Sequence, residues 1–123
     1  MHMLLKQVLL VFVCFFALAG QAMADSLSDA NRVYDEGDYE KAAKLYSPLA
    51  KDGNAEAQYT LGMMYRAGRG VPHDYKEARK WYLLAAEQGH HLAQFYLGWI
   101  YAGGKGVPKD FVRAHMWINI AIA

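Results

Sequence analysis

Three serines, five histidines, one cysteine and a few closely spaced carboxylates are the side chains through which this 123-residue chain could do chemistry. A nucleophilic serine needs a base placed beside it. Ser26, Ser28 and Ser47 are followed three residues on by Asp29, Asn31 and Ala50, so none begins a Ser-x-x-Lys motif, and no Gly-x-Ser-x-Gly elbow occurs. An acyl enzyme is not written here. The histidines fare no better: His90 and His91 are adjacent and leave a helix in different directions, while His73 and His115 lie far off in sequence. Helical metal sites use spacings such as i and i+4, and the chain has neither a His-Glu-x-x-His motif nor a thiol pair, so no metal site is assigned. His90 and His91 are expected in a solvated turn.

Two further patterns invite chemistry and are better explained by structure. Asp74 and Glu77 could be a carboxylate pair, but Asp74 precedes an apolar-periodic run, where a carboxylate caps a helix, and Glu77 three residues on completes a capping-box pattern. Asp38 and Asp110 stand in the same place 36 residues to either side. The glycine loops GRGVP and GKGVP, with Arg69 and Lys105, resemble phosphate cradles only loosely. Such a cradle needs Gly-Lys-Ser/Thr after a strand, whereas Val71 and Val107 follow these glycines, and Pro72 and Pro108 fix a turn. No catalytic residue and no cofactor is assigned.

Charge narrows the partners. Thirteen Lys and Arg oppose twelve Asp and Glu. A field that weak does not draw in nucleic acid or an anionic membrane surface.

The scaffold that positions these residues is a repeat. The stretch LGMMYRAGRGVPHDYKEARKWYLLA, Leu61 to Ala85, returns as LGWIYAGGKGVPKDFVRAHMWINIA, Leu97 to Ala121, at a constant offset of 36. Periods of this size mark stacked two-helix units, each needing a neighbour to bury its apolar face. Asp52-Gly53-Asn54 and Gln88-Gly89-His90 read as helix stops. First helices are expected over Ala55 to Ala67 and His91 to Gly103, and second helices over Asp74 to Glu87 and Asp110 to Ala121. Gly62 and Gly98 inside first helices cost about 1 kcal/mol each relative to alanine. Close packing must justify them, with Trp81 and Trp117 supplying the bulk opposite. Pro48 removes a helical hydrogen bond to the Lys44 carbonyl, and a kink is expected there.

The first residues read differently. Lys6 precedes an apolar run from Val8 to Ala19, and the small-x-small triplet Ala22-Met23-Ala24 follows, the pattern of a secretory signal cut after Ala24. The run falls short of the roughly 20 residues of a membrane-spanning helix. Cys14, the sole cysteine, lies inside it, so the chain after cleavage would carry no thiol. Residues 1–24 are therefore expected to be a signal peptide and residues 25–123 one helical domain. That domain comprises a divergent first repeat over about 27–53, a repeat over about 54–89 and a truncated repeat over about 90–123.

The pattern LGxxYxxGxGVxxDxxxAxxWxxxA, carried by Leu61, Gly62, Tyr65, Gly68, Asp74 and Trp81 and again 36 residues on, resembles the Sel-one-like repeat family, relatives of the tetratricopeptide repeats. The resemblance covers nearly all of residues 25–123. It implies an all-α, right-handed α-solenoid of antiparallel helix pairs acting as a non-enzymatic adaptor for other proteins. For exported bacterial members it implies a periplasmic or secreted location, with a role at the cell envelope or in host contact. Some exported members fasten each repeat with a disulfide, which this chain lacks the cysteines to form. The alternatives are an envelope hydrolase active on β-lactams or peptidoglycan, and a membrane-tethered structural subunit.

Solenoids bind partners along a concave groove lined by first helices. At 100° per residue, Ala57, Leu61 and Met64 share the packing arc while Tyr59, Met63 and Arg66 face away, with Phe95, Trp99 and Ala102 as counterparts. Tyr59, Met63, Arg66, Phe95 and Trp99 are thus the candidate residues for a protein or peptide partner. Trp117, Ile118, Ile120 and Ile122 form an apolar C-terminal helix through which the chain is expected to self-associate.

Overall fold

The computed structural model describes residues 2–123, and the chain folds as six helices: α1 (His2–Asp35), α2 (Tyr39–Lys51), α3 (Ala55–Ala67), α4 (Tyr75–Glu87), α5 (His91–Gly103) and α6 (Phe111–Ile122). No strand occurs among the described residues. The main packing runs between consecutive helices, α1 on α2 through to α5 on α6, which is the one-dimensional order of a solenoid.

Helix starts follow the expected chemistry. Asp38 accepts from the Lys41 amide at 3.2 Å, Asp74 from Lys76 at 2.9 Å and Glu77 at 3.2 Å, and Asp110 from Arg113 at 2.9 Å. The capping box at Asp74 is only half made, because the Asp74 amide donates to the Tyr65 carbonyl and Glu77 turns to Lys80 at 3.9 Å. The α2 helix runs unbroken through Pro48. Pro48 and Lys44 are both exposed, so the carbonyl that proline leaves unbonded is open to water.

Two contiguous cores hold the stack. Ala30, Val33, Tyr46, Leu61 and Met64 join Trp81 in the first, and Tyr82, Ala85, Leu97, Ile100 and Tyr101 form the second. Trp81 therefore packs back on the preceding unit. The residue facing Gly62 is Tyr82, whose ring would lie 2.9 Å from an added Cβ, and Gly98 faces Ile118 Cγ1 at 2.7 Å. Tyr82 and Ile118 are themselves 36 apart.

Adjacent units are joined by polar links as well. Gln58 is buried and donates to the Ala50 carbonyl at 3.1 Å while accepting from Gln88 at 2.8 Å, and Gln88 also donates to the Gly53 carbonyl at 2.9 Å. Gln94 repeats the first bond, to Ala86 at 3.1 Å, but its Oε1 is buried without a donor. The glycine loops make a third link. Gly70 and Gly106, at φ +70° and +67°, press on the start of the preceding second helix. A Cβ at Gly70 would overlap the Tyr39 carbonyl, and one at Gly106 would lie 2.9 Å from Tyr75 Cβ.

The α1 helix is continuous through the expected cleavage point. Leu27, Ala30 and Val33 pack on the first core, whereas the stretch Met3 to Leu18 is apolar and exposed. Over Met3–Asp35 the helix is long and apolar enough to cross a membrane, with a mean hydropathy of 2.2 in its most apolar window. A signal sequence near an N-terminus meets the same criterion. The short run counted from the sequence therefore does not exclude a spanning helix, because the helix as formed extends on both sides of it.

Candidate functional site

Helical spacing places Tyr59, Met63 and Arg66 of α3 along one line and Phe95 and Trp99 of α5 along the next. The structure divides the five. Phe95 and Trp99 are 44% and 39% exposed. Tyr59 and Met63 are half-buried against the second core, so the following unit takes them up as packing. Tyr59 stacks on the His90 ring at 4.5 Å and lies 5.9 Å from Tyr82 and 6.3 Å from Tyr96. Burial, and then the neighbouring Tyr96, raise its pKa, and burial raises that of Tyr82 further.

Arg66 ties the two lines together. Its Nε donates to the Tyr82 hydroxyl at 3.1 Å, and its Cζ lies 4.6 Å from the Tyr96 ring centroid and 6.0 Å from that of Trp99. Burial works to lower its pKa, but the Tyr82 bond and the surrounding tyrosines outweigh that and raise it, so Arg66 is a cation at any working pH. Lys105 Nζ lies 5.9 Å from both the Trp99 and Tyr75 centroids. Tyr75 and Trp99 are 6.5 Å apart. The result is a strip of alternating rings and cations crossing the joint between units.

Sequence reading found Arg66 and Trp99 and missed Tyr75, Tyr82, Tyr96 and Lys105. A signal for two of these was present: Arg69 lies 5.4 Å over the Tyr39 ring, and Lys105 and Tyr75 stand 36 residues beyond that pair. Tyr82 and Tyr96 gave none, since burial and stacking there depend on how units tilt together.

The expectation of a solvated turn at His90 fails. His90 is half-buried and its Nδ1 accepts from the Ala93 amide at 3.2 Å, capping α5 as Asn54, 36 residues earlier, caps α3 at 2.9 Å. Burial lowers its pKa, with the His91 charge adding to the effect and Glu56 opposing it. His91 is exposed. His73 packs edge-on against Tyr75 at 4.4 Å. The Ser26 hydroxyl donates to the Ala22 carbonyl at 2.9 Å. Among the described residues, no three His, Cys, Asp or Glu side chains gather into a metal-sized group.

Of the apolar residues expected to be open on the C-terminal helix, Ile120 and Ile122 are exposed and Trp117 and Ile118 are not. Ile118 turns inward to Gly98 and Trp117 is half-buried, whereas Val112, Met116 and Ile120 form an exposed i, i+4, i+8 stripe. The same face carries Lys76, Lys80 and Leu84 in α4.

Residues 34–54, 55–90 and 91–123 each match the family model of the Sel1 repeat. No curated protein matches the chain. Among solved structures, a Sel1 repeat protein from Oxalobacter formigenes is 36% identical with a TM-score of 0.72, the match covering 76% of this chain and 38% of that one. A second is c5321, a protective antigen of uropathogenic Escherichia coli displaying an SLR fold, at 42% identity and TM-score 0.67 over 68% of this chain and 18% of that one. The chain thus spans well under half the length of either. Helicobacter pylori cysteine rich protein B, at 18% identity and TM-score 0.66 over 81% of this chain and 86% of that one, shares the fold.

Proposed function

The chain belongs to the Sel1 repeat family, whose members generally mediate protein–protein interaction, and on that premise we propose that it is a non-enzymatic adaptor exported to the bacterial cell envelope. The observation that carries the reading is Phe95 and Trp99, two aromatic side chains exposed with Leu92 on a helix whose Ala93, Leu97, Ile100 and Tyr101 are buried. Exposed aromatics bordered by an arginine suit the centre of a protein interface. The partner lies along the groove of first helices, with Phe95 and Trp99 as anchors and Arg66 beside them. Tyr59 and Met63 support the surface from beneath.

Export is supported by the exposed apolar stretch Met3 to Leu18 of α1, none of whose residues belongs to either core. The first residue of α1 packed on the core is Leu27, so a cut after Ala24 would remove no core side chain. Mass spectrometry of the cellular protein checks this: a chain beginning at Asp25 supports release, and retention of residues 1–24 supports a membrane-tethered form. The groove is checked by capture from envelope extract with Phe95→Ser and Trp99→Ser variants, each first shown to melt like the parent chain. Partners captured equally well by both variants would sink the reading.

A specific observation also favours self-association. Val112 and Met116 replace Lys76 and Lys80 on a face that the preceding unit exposes to water. A second copy meeting this stripe would cover it.

A further inference from the structure

Among the described residues every ion pair lies within one helix or its cap: Arg32 with Asp29 and Glu36, Lys44 with Glu40, Lys80 with Glu77, and Arg113 with Asp110. The three cations that cross between units, Arg66, Arg69 and Lys105, are held by rings instead of carboxylates. Arg69 donates to the Tyr34 hydroxyl at 3.2 Å and lies over Tyr39. Its pKa is raised by the Tyr34 hydrogen bond first, and the charge of Arg66 opposes that, so the two cations are within electrical reach of each other. Arg66 and Lys105 both lie about 6 Å from the Trp99 ring centroid, which sets them no more than about 12 Å apart around the exposed indole.

Such a strip is assembled without its counter-charge. Among the described residues no carboxylate pairs with Arg66 or Lys105, and at the start of α4 Asp74 is engaged by the amides that open the helix and Glu77 by Lys80. Aromatic rings fix the cations in place while leaving their charge uncancelled, because a ring attracts a cation without neutralising it. An incoming carboxylate meets preset donors and pays little to order them.

We propose that this strip binds an extended acidic segment of a partner protein, with carboxylates at Arg66 and Lys105 and an apolar side chain between them on Trp99 and Phe95. The proposal rests on the groove reading above and adds the chemistry of the guest. A nucleic acid is the weaker fit: the whole chain carries a formal charge of only +1, too little to collect a run of phosphates, and the exposed Phe95 edge asks for an apolar side chain.

The test uses the full chain and three labelled probes of equal length: a peptide alternating glutamate with leucine, one alternating lysine with leucine, and an oligouridylate. Fluorescence anisotropy reports binding. The glutamate peptide should bind, and binding should weaken by about threefold or more for Lys105→Gln and again for Arg66→Gln, as expected for partly exposed charge pairs. It should also weaken as salt rises from about 50 to about 300 mM, because the Debye length shortens. Lys105→Glu, in the loop, should abolish it without changing the helical circular dichroism, which keeps the test decisive if Arg66→Gln disturbs the fold. Equal binding of the lysine peptide or the oligouridylate, or unchanged binding by Lys105→Glu, would overturn the proposal. Envelope capture separates the two readings: partners lost by Trp99→Ser but kept by Lys105→Glu leave the groove standing and remove its preference for acids.

Discussion

Gly68 and Gly70 make a controlled pair for asking what holds successive units together. They lie in one loop at φ +66° and +70°, so alanine at either suffers the same left-handed strain, about 1–2 kcal/mol. What differs is the neighbour. A Cβ at Gly68 would meet His73 Cβ at 3.3 Å, and His73 is exposed and able to give. A Cβ at Gly70 would overlap the Tyr39 carbonyl and approach the Glu40 amide nitrogen at 2.7 Å, and both belong to the first turn of α2, which cannot yield. The loop must lift instead, taking Arg69 off the Tyr39 ring and away from the Tyr34 hydroxyl.

Gly70→Ala is therefore expected to destabilise by about 1–2.5 kcal/mol more than Gly68→Ala, within the usual cost of forcing an extra carbon against an unyielding neighbour. At about 4–8 °C per kcal/mol for a domain of this size, its Tm should lie roughly 4–20 °C lower again. Urea midpoints at unchanged slope give the same comparison in free energy. Gly106→Ala repeats the experiment at the next joint, against Tyr75. If Gly70→Ala matched Gly68→Ala within about 0.5 kcal/mol, the glycines would be serving backbone geometry alone, and the account of the loop as a clamp on the preceding helix would fail.

Three further outcomes are expected. His90 has a folded-state pKa below its ordinary value, so its stability contribution is full above about pH 6.5 and is lost as pH falls through the folded pKa, when protonated Nδ1 can no longer accept from Ala93; His90→Asn, copying Asn54, should flatten that acid limb in melts taken across pH. Gln58→Leu should cost about 0.5–1.5 kcal/mol more than Gln94→Leu by urea unfolding, because Gln58 is bonded at both ends of its amide and its loss also removes the bond from Gln88, whereas Gln94 Oε1 is already unpaired; equal costs would refute the role of Gln88 in the link between units. Val112→Lys with Met116→Lys, which restores the residues of the preceding unit, should lower the mass seen by light scattering while leaving helicity intact; an unchanged mass would remove the stripe from any self-association.

What could be read from the chain followed from what repeats. Asp38, Asp74 and Asp110 fixed helix starts because a cap is a local device, needing only the next three residues. The one-unit offset likewise located α3 to α6 within a residue or so of their observed ends. Facing partners were harder: Trp81 has the bulk to oppose Gly62, but Tyr82 does so, because one residue turns a helix face by about 100° and only packing decides which of two adjacent aromatics is inside. Tyr59 was placed on an open face for the same reason. A helical wheel knows its own helix and one neighbour, while Tyr59 is covered by His90 and Tyr96 of the next unit.

That limit explains why the strip at Trp99 was only half visible. Its members come from four places, Arg66 of α3, Tyr75 of α4, Trp99 of α5 and the loop residue Lys105, and no spacing rule within one unit joins them. In a solenoid the joint between units is the smallest structure that has a surface of its own, so recognition chemistry accumulates across joints. Repeat-conserving positions such as Gly70, Gly106, Gln58 and Gln94 build the joint, and positions that change between units decorate it. Tyr59, Met63 and Arg66 become Phe95, Trp99 and Ala102 one unit later. Lys105 keeps the loop cation that Arg69 supplies one unit earlier and lies 5.9 Å from the Trp99 centroid that Arg66 also approaches, so that indole has a cation from each of two units although Arg66 itself is not repeated.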